Sequence, residues 1–367
     1  MTERLDKMVE QNEKYLDKVK QSFDEINRAN EQLFKGVETF MHLDAGGTNS
    51  TERELVYEID KVKVYHYAKR TRTQNKIPTL MVYALVNTPA MMDIQEDKSF
   101  IKNLLEGGMD LYLIEWGYPT PDDKYLTMED YIQGYIDSVV DFIRKDRGVE
   151  KVNLLGICQG GTFSTIYSAL NPEKVANLIT MVTPIDFSTN DGLLFKWAPY
   201  LNIDLIVDAY GNIPGDFMNA GFLTLSPITL MVNKYLNLID DLGDTAAIEN
   251  FMRMEKWIFD SPDQAGETIR QFINDLYHDN KLIKGELVIG GETVDLKKIN
   301  MPLLVVYATR DNQVPVAAAK DLEKYVSSLD KETHAIQTGH IGMYVSGKSA
   351  TEVAPLISSW AKERSKK

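Results

Sequence analysis

A single cysteine stands in the 367 residues, inside the run Gly156-Ile157-Cys158-Gln159-Gly160-Gly161, between the apolar segment VNLLG and the helical pattern TFSTIYSAL. A strand that turns sharply into a helix at a nucleophile has no room for side chains two residues before and two after it, and Gly156 and Gly160 meet that need. Such a turn lifts the sulfur off the end of a sheet and sets it at a helix N-terminus. There the dipole and a nearby imidazole favour thiolate. The backbone N–H of Gln159 is then one candidate donor to the oxyanion of a reacting carbonyl. A lone cysteine can also be an inert core residue; the flanking glycines favour the nucleophile.

An elbow of this kind needs an acid and then a histidine further along the chain, each just after a core strand. Asp311 follows LLVVYATR and opens a loop that runs to Pro315. His340 lies in the glycine-flanked TGHIG, after a strand pattern around His334 to Gln337. The other histidines, His42, His66, His278 and His334, do not fall after a late strand and before the final helix, so His340 is the candidate base. Asp311 would fix its ring by accepting from the other nitrogen, or would simply cap its own turn. The second oxyanion donor is expected from the loop after TLMVYALV, at the backbone of Val86 or Asn87, although Asn87 also suits a plain turn. A thiolate that attacks a thioester forms another thioester, so acyl transfer from coenzyme A is nearly balanced and the acyl-enzyme stays reactive. That chemistry suits an acyltransferase better than an esterase.

The elements that must hold these groups are short apolar runs alternating with helical patterns: VYEIDKVKVYHY, TLMVYALV, DLYLIEW, VNLLGI, LITMVT and LLVVYAT, with segments such as MEDYIQGYIDSVVDFIRK between them. The alternation predicts a mostly parallel central sheet with crossover helices on both faces, and together with the elbow and the later acid and histidine it points to an α/β-hydrolase fold. Between about Pro184 and Gly291 the rhythm gives way to a stretch rich in methionine and aromatics, read as an inserted, mainly helical cap whose aromatics serve chiefly as its own core. The expected divisions are an N-terminal helical segment (1–43), the first part of the core (51–183), a cap or lid (184–293) and the second part of the core (294–367). DAGGTNS, from Asp44 to Ser50, reads as a linker. From Leu5 to Phe40, apolar residues together with Asn12 and Asn30 recur in alternating steps of four and three, a heptad seam. It fits either a partner helix or the chain's own domain. Trp116 and Tyr118 are expected to pack beneath the elbow loop.

Composition narrows the function classes. The net charge of -14 and the absence of clustered Lys and Arg argue against nucleic-acid binding; Lys69 to Arg72 and the basic tail from Lys362 read as solvated surface. One cysteine leaves no internal disulfide framework, and no apolar run reaches the ~18 to 20 residues that span a bilayer. With no signal-peptide pattern, a cytoplasmic location is expected.

Several separated motifs carry a resemblance: YALVNTPAMMD, WGYPTPDDKYLTMEDYI, GICQGG, VTPIDF, YHDNKLIKGELVIGGETVDL, TRDNQVP and TGHIGM. From about Ile59 to Lys362 the chain resembles poly(3-hydroxyalkanoate) synthases, nearer the shorter class III type, which works with a helical accessory subunit, than class IV. The family's catalytic cysteine, aspartate and histidine fall on Cys158, Asp311 and His340. The resemblance implies polymerisation of (R)-3-hydroxyacyl-CoA, most naturally 3-hydroxybutyryl-CoA, with release of CoA. The thioester is then substrate, with no cofactor and no metal. Further expectations are residence on polyester granules, and a helical accessory subunit or a homodimer joined through residues 1–40. His278, in YHDNK, either contacts CoA or caps a turn. Two features depart from the family: Glu115 stands where aspartate is expected before Trp-Gly, and the N-terminal seam is longer than class III leads one to expect. A thioesterase or depolymerase on the same scaffold, or a non-catalytic scaffold protein, are the alternative functions.

Overall fold

The computed structural model describes residues 49–225, 236, 238 and 244–365. The N-terminal seam lies outside the described residues. Residues 47–226 and 256–367 make up one compact unit, which carries the main sheet and the candidate site. Of the other unit, residues 245–255 are helical, within the helix Thr245–Phe259.

VYEIDKVKVYHY, read above as one apolar run, is two strands. Asp60 adopts a left-handed φ of 55°, so the chain reverses there and β1 (Arg53–Ile59) pairs antiparallel with β2 (Val62–Tyr67). Asp is one of the few non-glycine types that tolerate this conformation. β3 (Thr79–Val82), β4 (Leu111–Glu115), β5 (Val152–Ile157) and β6 (Val175–Met181) follow. The minor hairpin β7 (Val288–Ile289) and β8 (Glu292–Thr293) precedes β9 (Leu303–Ala308) and β10 (Lys331–Ile336). The main sheet runs β1-β2-β4-β3-β5-β6-β9-β10, antiparallel at β1-β2-β4 and parallel elsewhere.

The central strands β3 and β5 are buried at every position, as strands covered on both faces must be. Asp137–Arg147, whose buried Val139, Val140 and Ile143 line one stripe, and the wholly buried Gln159–Leu170 supply part of that cover.

Between β6 and β7 the described chain is helical, at Leu193–Trp197, Ile203–Tyr210, Gly215–Leu223, Thr245–Phe259, Gly266–Gln271 and Lys281–Lys284. Phe187, Phe195, Phe272 and Tyr277 meet in stacked, tilted and edge-on pairs with centroids 4.8–6.1 Å apart, so much of the aromatic content here is internal packing. Two separated motifs meet at this point. Asn280 of YHDNK accepts from the Phe187 N–H and donates to Asp186, both of VTPIDF.

The start of the core is tied down. Thr51 donates from its backbone and its hydroxyl to buried Asp93, and Ser50 donates to the same carboxylate, so the last residue of the expected linker is anchored. No described helix is long and apolar enough to cross a membrane.

Candidate active site

The chain leaves β5 at Ile157 and enters the helix Gln159–Leu170 with one residue between, and that residue is Cys158. Its φ and ψ are 53° and -128°, a conformation non-glycine residues rarely adopt, held by Cys158 N–H donating to Met181 and by Gly161 and Thr162 donating to Cys158 O. The glycines are explained by crowding. A Cβ at Gly160 would strike the carbonyl oxygens of Val82 and Tyr83, one at Gly156 would overlap Gly161 and Ser164, and one at Gly161 would overlap Thr183. Cys158 is therefore partly buried at the end of the sheet, beside the tip of β3.

Asp311 sits just beyond β9 and its two oxygens do different work. Oδ1 accepts from the backbone N–H groups of Gln313 and Val314, the turn role, while Oδ2 lies 2.7 Å from His340 Nδ1. Both side chains are closed to solvent, with 0% and 6% exposed. The second glycine of TGHIGM is fixed by Thr338, which a Cβ at Gly342 would strike. With Nδ1 taken by Asp311, Nε2 is left for the sulfur. Burial pulls the imidazole down, but the Asp311 carboxylate, charge on Cys158 and hydrogen bonds to both outweigh it and push His340 up from 6.5 to about 10. Cys158, Asp311 and His340, expected from strand positions, are thus brought together.

The loop after β3 is held from two sides. Leu85 N–H donates to Gln159 Oε1 (3.0 Å), and Leu85 O accepts from Gln264 Nε2 (2.7 Å). Trp257 Nε1 donates to Thr88 O, and Ser261 donates to Asn87 Oδ1. Asn87 has φ 60°. The elbow residue Gln159 thus offers its N–H beside the sulfur and its side chain to the loop carrying Val86 and Asn87. Gln264, Trp257 and Ser261 escaped sequence reasoning, because each meets the loop across more than 160 residues of chain.

Trp116 is buried and donates from Nε1 to Tyr83 O at 3.0 Å, just past the end of β3. Tyr118 is a correction. It is 53% exposed and donates to Asp260, because the chain turns outward at Gly117 (φ 73°). Glu115 pairs with Arg53 at 3.3 Å. His278 is exposed, with Nε2 3.0 Å from Ala198 O, and so bonds a backbone carbonyl away from Cys158, Asp311 and His340.

Three phenols also missed by sequence reasoning, Tyr83, Tyr277 and Tyr344, are held well above the ordinary tyrosine range, by burial and then charge on Cys158 at Tyr83 and Tyr277, and by burial, then Tyr83, then Cys158 at Tyr344. Tyr344 alone left a sequence signal, as the residue one helical turn beyond His340.

The profile of the alpha/beta hydrolase fold matches residues 87–346. Among solved structures, a monoacylglycerol lipase of Paleococcus ferrophilus is 15% identical, with TM-score 0.52 over 80% of this chain and 96% of that one. A soluble variant of monoglyceride lipase from Saccharomyces cerevisiae is 13% identical, with TM-score 0.55 over 87% and 98%. At such identity the likeness is one of fold. Three relatives are far closer in sequence. The poly(3-hydroxyalkanoate) polymerase subunit PhaC of Allochromatium vinosum is 52% identical over 91% of this chain and 94% of its own, and that of Thiocystis violacea 50% over the same shares. PhaC of Synechocystis is 48% identical over 91% of each chain. With about half its residues shared over nine-tenths of both lengths, on an α/β-hydrolase framework, the chain belongs to the poly(3-hydroxyalkanoate) polymerases, enzymes of the acyltransferase type.

Proposed function

We propose that the chain polymerises (R)-3-hydroxyacyl-CoA, with 3-hydroxybutyryl-CoA as the reference substrate, through a covalent thioester on Cys158. The observation that carries this is the pairing of the single cysteine, at a strained elbow, with a buried imidazole whose far nitrogen is held by Asp311. The Sγ proton passes to His340 Nε2 and the thiolate attacks the thioester carbonyl. The backbone N–H of Gln159, with that of Val86 or Asn87, receives the oxyanion. The bond from carbon to the CoA sulfur breaks, and the CoA thiolate takes the proton from the imidazolium.

Acylation removes the negative charge on sulfur, and with it one of the influences that raise His340. The imidazole can then change from acid to base. It accepts the proton of the 3-hydroxyl of a bound monomer or chain end. The alkoxide attacks the acyl carbon, the bond to Cys158 Sγ breaks, an ester forms and the thiolate recovers its proton. No cofactor enters these steps, the CoA thioester being substrate.

Because an insoluble polyester remains attached to the chain that extends it, granules in the cytoplasm are the place where this enzyme would work. The heptad seam at residues 1–40 is the proposed contact with a helical accessory subunit of the class III kind or with a second copy. His278 is assigned to holding the cap, by its bond to Ala198.

The test is CoA release from (R)-3-hydroxybutyryl-CoA by the full chain, with and without a co-expressed helical partner, followed by sizing of the product. High-mass polyester from the wild type and none from Cys158→Ala is the expected result. Free 3-hydroxy acid in place of polymer would instead establish a thioesterase, and turnover retained by Cys158→Ala would place the nucleophile elsewhere.

A further inference from the structure

Leu85, in the loop after β3, spends both of its backbone polar groups on glutamines. Its N–H donates to Oε1 of Gln159 on the elbow (3.0 Å), and its C=O accepts from Nε2 of Gln264 in the cap (2.7 Å). A carbonyl can only accept, so the Gln264 amide must turn its NH2 to Leu85 and its Oε1 away. That oxygen is buried and meets no partner among the described residues, so the donor is the end of the side chain that is put to use. Gln264 has little freedom to leave. It is 2% exposed, and its backbone exchanges two hydrogen bonds with Ile213, of 2.8 and 2.9 Å.

Leu85 C=O and Val86 N–H belong to one peptide unit. That unit is planar and trans, so the two groups point in opposite directions and holding the first aims the second. Val86 is half-buried, and its N–H donates to nothing among the described residues. We infer that Gln264 is a positioning residue for acyl transfer: it holds the Leu85–Val86 peptide so that Val86 N–H faces the oxyanion formed at the thioester carbonyl. The frame of the oxyanion site is then shared, with Gln159 supplied by the core and Gln264 by the cap. A backbone donor is worth most to a tetrahedral intermediate when it is already fixed where the charge develops, and a peptide free to turn loses that advantage. Gln264 exchanges no proton, so the balance of the steps above is untouched. This role presupposes the Cys158 thioester reaction proposed above.

The experiment uses the full chain with Gln264→Met, which keeps the length of the side chain and removes the donor. CoA release from (R)-3-hydroxybutyryl-CoA is measured beside alkylation by iodoacetamide, a reaction at the single cysteine that forms no oxyanion. The expected result is a fall in kcat of about tenfold to a hundredfold, less than the loss when an oxyanion donor is removed outright, with KM and the alkylation rate little changed. A wild-type kcat would overturn the inference. Alkylation that falls in step with kcat would overturn it too, because Gln264 would then be shaping the surroundings of the sulfur. If Gln264→Met does not fold, Gln264→Glu decides. Only its protonated form can donate to Leu85 O, so its kcat relative to wild type should climb as pH falls from about 8 to 5, and a flat ratio would overturn the inference. Cys158→Ala keeps the two claims apart: activity retained there ends the nucleophile assignment, whereas inactive Cys158→Ala beside a wild-type-like Gln264→Met removes only the role of Gln264.

Discussion

Replacing Asp311 by asparagine tests the site most sharply, because the surrounding backbone dictates how the new amide must sit. Two N–H groups, of Gln313 and Val314, point at Oδ1 from 2.9 Å each, and only an oxygen can accept them. The asparagine carbonyl therefore takes that place and turns its NH2 toward His340 Nδ1, where the carboxylate stood at 2.7 Å. Nδ1 becomes an acceptor, the ring proton moves to Nε2, and the imidazole presents a hydrogen to a sulfur whose proton it should receive. The same exchange in a Ser-His-Asp triad lowers kcat about 10⁴-fold, so a loss of about 10³- to 10⁴-fold in CoA release is expected here, with the fold retained.

A second readout follows from pH. His340 is raised from 6.5 to about 10, with Asp311 the foremost of the influences that raise it. A group raised on folding contributes stability that is fully present below its unfolded pKa and is lost as pH rises through the folded one. The wild type should therefore lose stability between about pH 6.5 and 10, and Asp311→Asn should lose much of that dependence. The assays are CoA release at saturating substrate and chemical denaturation across that range. Activity within about tenfold of wild type, or an unchanged pH dependence, would refute the orientation assigned to the triad.

Two further substitutions probe the frame around the sulfur. Gly160→Ala drives a methyl into the carbonyls of Val82 and Tyr83; a loss of about 1–3 kcal/mol in denaturant unfolding is expected, together with a larger fall in CoA release as the β3 tip is displaced. Gln159→Met keeps the elbow N–H but leaves the buried Leu85 N–H without its acceptor. It should cost about 1–3 kcal/mol, and kcat should drop with it if this side chain positions the oxyanion loop.

The alternation of apolar runs was enough to expect a mostly parallel sheet, since strands covered on both faces leave a continuous apolar signature. Cys158, Asp311 and His340 were legible because an elbow and two late strand ends are local patterns, each readable within about ten residues. The family followed from motifs whose separations leave little room for coincidence. Other features had no local signature. The turn at Asp60 that splits β1 from β2, the outward swing of Tyr118 and the anchoring of Ser50 and Thr51 to Asp93 depend on partners elsewhere. The clamp by Gln264, Trp257 and Ser261 on the β3 loop joins segments far apart in sequence, and so does the edge-on meeting of Tyr83 with Tyr344, which also faces His340. Periodicity and turn chemistry are short-range and stay written in the chain. Which side chains share a desolvated space is settled only when long loops close, and here that closure decides how Cys158 is positioned.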